Sequence, residues 1–144
     1  MLTPTEHEAR ECLQNYDDGL IVLSEKLRKY LNSKIVLLKL GKDGIIIHSR
    51  NKNKKWDNDR IKSLNLNPVD VAGAGDSLLA ALSVGLCSGA TLMQSSAIGA
   101  GIASLAVQQF GNVPISFQQL KDHLSKIYLN KEQYFHKVNK FKVK

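Results

Sequence analysis

The chain has 144 residues, 43% of them hydrophobic and 23% charged, which is enough apolar material for one packed domain and too much for a disordered chain. The net charge of +7 raises the question of a nucleic-acid partner. Much of the excess, however, sits in a polar loop (Lys52, Lys54, Lys55) and in the tail (Lys131, Lys137, Lys140, Lys142, Lys144), without the interleaved aromatics that stack bases, so a solvated basic surface is expected instead.

Pro4, Glu6 and Glu8 suit a helix start and predict a short helix from about Thr5 to Leu13. Asp17-Asp18-Gly19 is a break, and Leu20, Leu23, Leu27 and Leu31 recur at helical spacing, giving a second helix to about Asn32. Ile35-Val36-Leu37-Leu38 is a continuous apolar run that suits a strand covered on both faces. The turn Gly41-Lys42-Asp43-Gly44 joins it to Ile45-Ile46-Ile47 as a hairpin, and Lys55 to Ile61 is a third, poorer strand. Asn67 to Val71 is a short extended piece, after which Asp76 opens a helix to about Cys87 that Gly89 stops. Thr91-Leu92-Met93-Gln94 and Ser116-Phe117-Gln118-Gln119 are capping boxes, starting helices to about Phe110 and Tyr128. Gly99, Ala100, Gly101 and Ala103 would let a backbone or a ligand approach the first of these. The sequence from Asn130 is a basic tail to which no element is assigned. This is an α/β pattern with few strands for its helices, so the sheet is expected to be incomplete and to be finished by another chain or by a missing part.

Cys12 and Cys87 match no metal or disulfide framework. No signal-like segment precedes the first charges, and the apolar stretches are too broken to span a membrane. Reduced thiols in a cytoplasmic protein without a membrane partner are expected. His7, His48, His123 and His136 have no metal spacing and are expected to be structural, with Met93 and Cys87 in the core. Trp56 is expected to pack on a sheet edge or a partner.

The chemistry concentrates in Asp70-Val71-Ala72-Gly73-Ala74-Gly75-Asp76. Two glycines around an alanine allow consecutive N–H groups to point into one hollow at a helix N-terminus, where the dipole favours an anion. Asp76 at its edge could accept a proton from an attacking hydroxyl. The alternative is a tight strand-to-helix turn with the aspartate as a cap. Spacing leaves both open. It does exclude the dinucleotide fingerprint, since position 78 is Leu, and the P-loop, since no Lys-Ser or Lys-Thr follows.

The same seven residues resemble the signature of the ribokinase-like (PfkB) carbohydrate kinases, and the likeness extends from Leu2 to about Leu124. It implies the C-terminal portion of a three-layer α/β/α fold, with residues 1–129 as an ATP-binding portion and 130–144 as the tail. It implies a kinase of sugar or sugar-phosphate hydroxyls that uses ATP and Mg2+. Asp76 matches the catalytic base, and Gly73, Ala74 and Gly75 match the anion hole around the transferred phosphoryl group. Asp70 matches the aspartate beside the monovalent cation in potassium-activated members, which adds K+. Lys39, Gly41 and Gly44 belong to the strand and turn that contact ATP phosphates. Glu8 matches a glutamate that organises magnesium through water, although Thr5 stands where relatives carry Asn. Ala100 falls where relatives often carry an Asn near the adenine. Val71, and Phe110 to Ile115, resemble the heptose-phosphate kinase subgroup. Relatives are roughly twice as long, so an N-terminal half or another protomer is the implied partner.

Overall fold

The computed structural model describes residues 1–51, 53–65, 67–111 and 113–127. Two helices, α1 (Glu6–Leu13) and α2 (Leu20–Tyr30), precede strands β1 (Val36–Lys39), β2 (Ile45–Arg50) and β3 (Trp56–Ile61). Helices α3 (Ala74–Cys87) and α4 (Leu92–Ala106) follow, and a last helix, α5, covers 117–127. The strands pair antiparallel in chain order. Residues 2–5 lie parallel beside β1 through bridges Leu2–Val36 and Thr5–Lys39, secured by bonds such as Lys39 N–H to the Pro4 carbonyl at 2.8 Å.

Strand alternation divides the core into the two expected interfaces. Val36, Leu38 and Ile46 face α1 and α2, packing with Ala9, Leu23 and Leu27. Leu37, Ile45 and Ile47 face the other way, against Leu78 and Leu82 of α3 and Ala100 of α4. The result is a helix–sheet–helix sandwich, as the α/β reading requires. The apolar runs of β1 and β2 are continuous because both faces are covered.

Both capping boxes form. The Thr91 hydroxyl accepts the Gln94 amide while the Gln94 side chain accepts the Thr91 amide, and Ser116 and Gln119 reciprocate in the same way. Thr5 and Glu8 form a third at α1. α4 is closely approached on two sides: a Cβ on Gly99 would lie 3.1 Å from the Leu78 carbonyl oxygen of α3, and one on Gly101 would lie 2.9 Å from the Leu124 side chain of α5.

Several local expectations are corrected. α3 begins at Ala74, two residues before Asp76, because Gly73 takes a left-handed conformation (φ 71°) and turns the chain into the helix. α4 ends at Ala106, well before Phe110, where the next residues close tight turns and the Asp70 carboxylate takes the Gly111 amide. Met93 and Cys87 are exposed, not core. Both lie on helix faces that no other described element covers. Trp56 stacks on His48 with centroids 5.2 Å apart and planes 6° apart, and the Arg28 guanidinium sits 3.7 Å from its ring centroid. His48 is buried and lies 2.8 Å from Glu25, which fits its structural reading. The tail and His136 lie outside the described residues.

Candidate active site

A cavity of about 340 Å³ opens between the end of β1, the Gly41–Gly44 turn, residues 62–65, the start of α3 and one face of α4. Its position follows from three local features. Lys39 has the same strand parity as Leu37, so it emerges on the α3–α4 face. Gly44 takes φ 90°, and a Cβ there would lie 2.0 Å from the Ile61 carbonyl oxygen. That position therefore admits only glycine, and the turn lies flat against the end of β3. Gly73 aims the first turn of α3 back at the sheet.

These features bring Lys39 to the mouth of α3. A Cβ on Gly75 would meet the Lys39 ammonium at 2.8 Å, so the absence of a side chain at residue 75 makes room for the charge. Ala74 donates a long bond, 3.4 Å, to the Val71 carbonyl, and the Gly75 and Asp76 amides meet no acceptor among the described residues. Unpaired amides, the positive end of a 14-residue helix and an ammonium thus share one locality, which suits an anion. Asp76 is the third residue of the helix. It is exposed and makes no hydrogen bond or ion pair with the described residues.

Lys39, Gly41, Gly44, Ala74, Gly75 and Ala100 all line the cavity, whereas Gly73, Asp76, Asp70 and Glu8 do not. Gly73 and Asp76 flank it in sequence. Asp70 is tied to the loop, its oxygens accepting the Ala72 and Gly111 amides, each at 2.9 Å. Those amides hold its carboxyl below the usual range. One oxygen of Glu8 accepts the Thr5 amide at 2.6 Å, which lowers its carboxyl in turn, with Lys39 adding a smaller electrostatic pull.

Sequence reasoning missed Lys62, Ser63, Asn65 and Ser104, which also line the cavity. It also missed the contact between Ser104 and His123, 2.7 Å apart. Burial pushes the His123 imidazole down, helped by Lys126. Among the described residues there is no group of three potential metal ligands, and no helix is long and apolar enough to cross a membrane.

The fold is that of the ribokinase-like proteins. Thermotoga maritima ribokinase superposes with a TM-score of 0.73 at 22% identity, over 85% of this chain and 41% of that one. An Arabidopsis thaliana ribokinase solved with ribose and ATP gives a TM-score of 0.71 at 25% identity, over 85% and 40%. In sequence, the pfkB family carbohydrate kinase model matches residues 1–117, and the chain belongs to that family. A ribokinase from Lactococcus lactis is 33% identical over 110 residues, 76% of this chain and 33% of its own length. A bifunctional protein HldE from Methylobacillus flagellatus is 28% identical over 126 residues, 85% of this chain and 25% of its own. The chain therefore spans a third or less of these two curated relatives.

Proposed function

We propose that the chain is the nucleotide-binding portion, residues 1–129, of an ATP-dependent phosphotransferase acting on a sugar or sugar-phosphate hydroxyl. The observation that carries this reading is the meeting, at one helix mouth, of the Lys39 ammonium, unpaired amides and an exposed carboxylate. Phosphoryl transfer asks mainly for positioning and for charge placed where the migrating group spreads its own.

In this reading the terminal phosphate lies against Gly75 and Lys39. The Gly73–Gly75 backbone forms the anion hole, and Asp76 receives the proton of the attacking hydroxyl. The preceding phosphates pass the Gly41–Gly44 turn and the base rests on Ala100. Mg2+, when bound with the nucleotide, neutralises charge on phosphate oxygens. Glu8 commits only one oxygen to its cap, so it fits a contact through water, with the phosphates supplying the other ligands. Asp70, fixed by two amides, suits a loop organiser beside a monovalent cation such as K+.

A heptose 7-phosphate acceptor is supported by Val71 and by the similarity to HldE proteins. The remaining strands and most sugar contacts are assigned to an N-terminal half or a second protomer, since the match covers about 40% of the solved relatives. The isolated chain is accordingly expected to be inactive, and the setting cytoplasmic. A second reading, a non-catalytic nucleotide- or protein-binding domain, draws on Ala100, which offers the base no polar group, and on Thr5, whose hydroxyl is committed to the α1 cap.

An ADP-release assay across sugars and heptose 7-phosphate, with the N-terminal half supplied, separates the two. Turnover that falls about 10²–10⁴-fold in Asp76→Asn, with Mg-ATP binding retained, supports the kinase. Wild-type turnover in that variant would remove Asp76 from its role. Nucleotide binding without turnover on any acceptor would favour the second reading.

A further inference from the structure

The walls of the cavity differ in what they leave available to a ligand. Three lysines, Lys39, Lys42 and Lys62, line it, and the described lining residues include no aspartate or glutamate. None of the three lysines forms an ion pair with a described residue. Lys62 follows the last residue of β3, so it reaches the lining from a different element than Lys39 and Lys42. Within the described lining this positive charge meets no carboxylate, and Glu8, which lies outside the lining, interacts with Lys39 only as a minor influence.

Much of the rest of the described lining is apolar, including Leu64, Pro68, Ala100, Ala103 and Val107. The polar side chains there are already engaged. Ser63 donates to the Asn65 carbonyl at 2.7 Å. Asn65 donates to the Ser104 carbonyl at 3.3 Å and accepts the Asn67 amide at 2.9 Å. The Ser104 hydroxyl donates to the Gly101 carbonyl at 2.8 Å and sits 2.7 Å from His123 Nε2. Even the Val107 carbonyl takes the Val69 and Asp70 amides. Among the described residues, a planar base on this part of the lining meets mainly shape and apolar surface, with few polar side-chain groups left to read its hydrogen-bonding edge.

We infer that this site, given the nucleotide-binding reading on which the inference rests, selects its ligand by the polyphosphate and accepts purine nucleoside triphosphates irrespective of the base, with Lys62 as a further phosphate-binding residue. Apolar slots discriminate weakly between molecules of similar shape, by up to about 10²-fold, whereas sites built on hydrogen bonds reach about 10⁴–10⁵-fold. Charge-dominated recognition is also screened by salt.

The test is calorimetric titration of the 144-residue chain with the magnesium complexes of ATP, GTP, ITP and inorganic tripolyphosphate, at low and raised NaCl. ATP, GTP and ITP should bind within about tenfold of one another, and all should weaken as salt rises. Lys62→Gln should weaken the three nucleotides and tripolyphosphate alike, by about 3–10-fold, with Lys62→Arg restoring most of the loss. Circular dichroism establishes that each variant folds. ATP binding more than about 100-fold tighter than GTP would overturn base indifference while leaving the nucleotide site intact. Unchanged tripolyphosphate affinity in folded Lys62→Gln would remove Lys62 from the site. Failure of every triphosphate to bind would overturn the inference together with the nucleotide-binding reading.

Discussion

Gly75→Ala separates stability from binding, because the two should move in opposite directions. Gly75 is helical, so alanine suits its backbone and should stabilise the fold by up to about 1 kcal/mol. For a domain of this size that is a rise in Tm of about 2–5 °C. The new methyl, however, would stand 2.8 Å from the Lys39 ammonium. The clash is with the far end of a flexible side chain, so it is relieved by swinging Lys39 away from the helix mouth, leaving the backbone in place. If that ammonium contributes one charge-assisted hydrogen bond to a bound phosphate, worth about 1.5–3 kcal/mol, Mg-ATP affinity should fall by about 10–100-fold. Thermal melts and calorimetry on the same preparation read both quantities. A folded Gly75→Ala variant with wild-type Mg-ATP affinity would refute the claim that Lys39 and the start of α3 act on one ligand.

Other perturbations address the scaffold. Leu82→Ala removes a fully buried side chain between the sheet and α4 and should lower stability by about 2–5 kcal/mol in urea denaturation. Gly44→Ala places a methyl 2.0 Å from a carbonyl oxygen at positive φ. It should destabilise more than the same change at Gly41, which has open space around it, as paired melts would show. Glu25 accepts a two-bond fork from Arg28 at 2.8 and 3.0 Å and meets Lys29 at 3.0 Å and His48 at 2.8 Å. The Arg28 contact, the largest of these, holds its carboxyl far below the normal range. A depressed native value means the stabilisation is complete above the unfolded pKa, about 4.3, and fades as pH falls below it. Emission from Trp56, which lies on Arg28 and His48, should therefore change on acidification from pH 5 towards 2. Glu25→Gln should flatten that change.

What could be read from the sequence was what depends on neighbours along the chain. The Leu20, Leu23, Leu27 period, the reciprocal Thr91–Gln94 cap and the apolar β1–β2 hairpin are local, and each forms as expected. The junction at Gly73–Asp76 was also visible, because glycine spacing before a helix is a local signal. Its exact geometry was not. The residue that opens the helix is set by the left-handed turn at Gly73, and two of the four glycines and alanines around Asp70–Asp76 that line the cavity could be told from the others only in three dimensions.

Lys62 and Ser104 were invisible for a different reason. Lys62 reaches the cavity only because Ile61 pairs with Ile45, which places the end of β3 beside the Gly41–Gly44 turn, and Gly44 has no side chain to hold the two apart. Ser104 arrives from a helix more than forty residues later, through the close packing at Gly99 and Gly101. Lys62 lies just beyond the last paired residue of β3, so its place at the cavity depends on where the β2–β3 pairing stops and the chain leaves the sheet. The cationic lining thus depends on the end of that pairing. Substitutions that disturb β2–β3 pairing should accordingly weaken triphosphate binding even when they lie far from Lys39, and Ile47→Ala, in the middle of that pairing, should do so in proportion to its loss of stability.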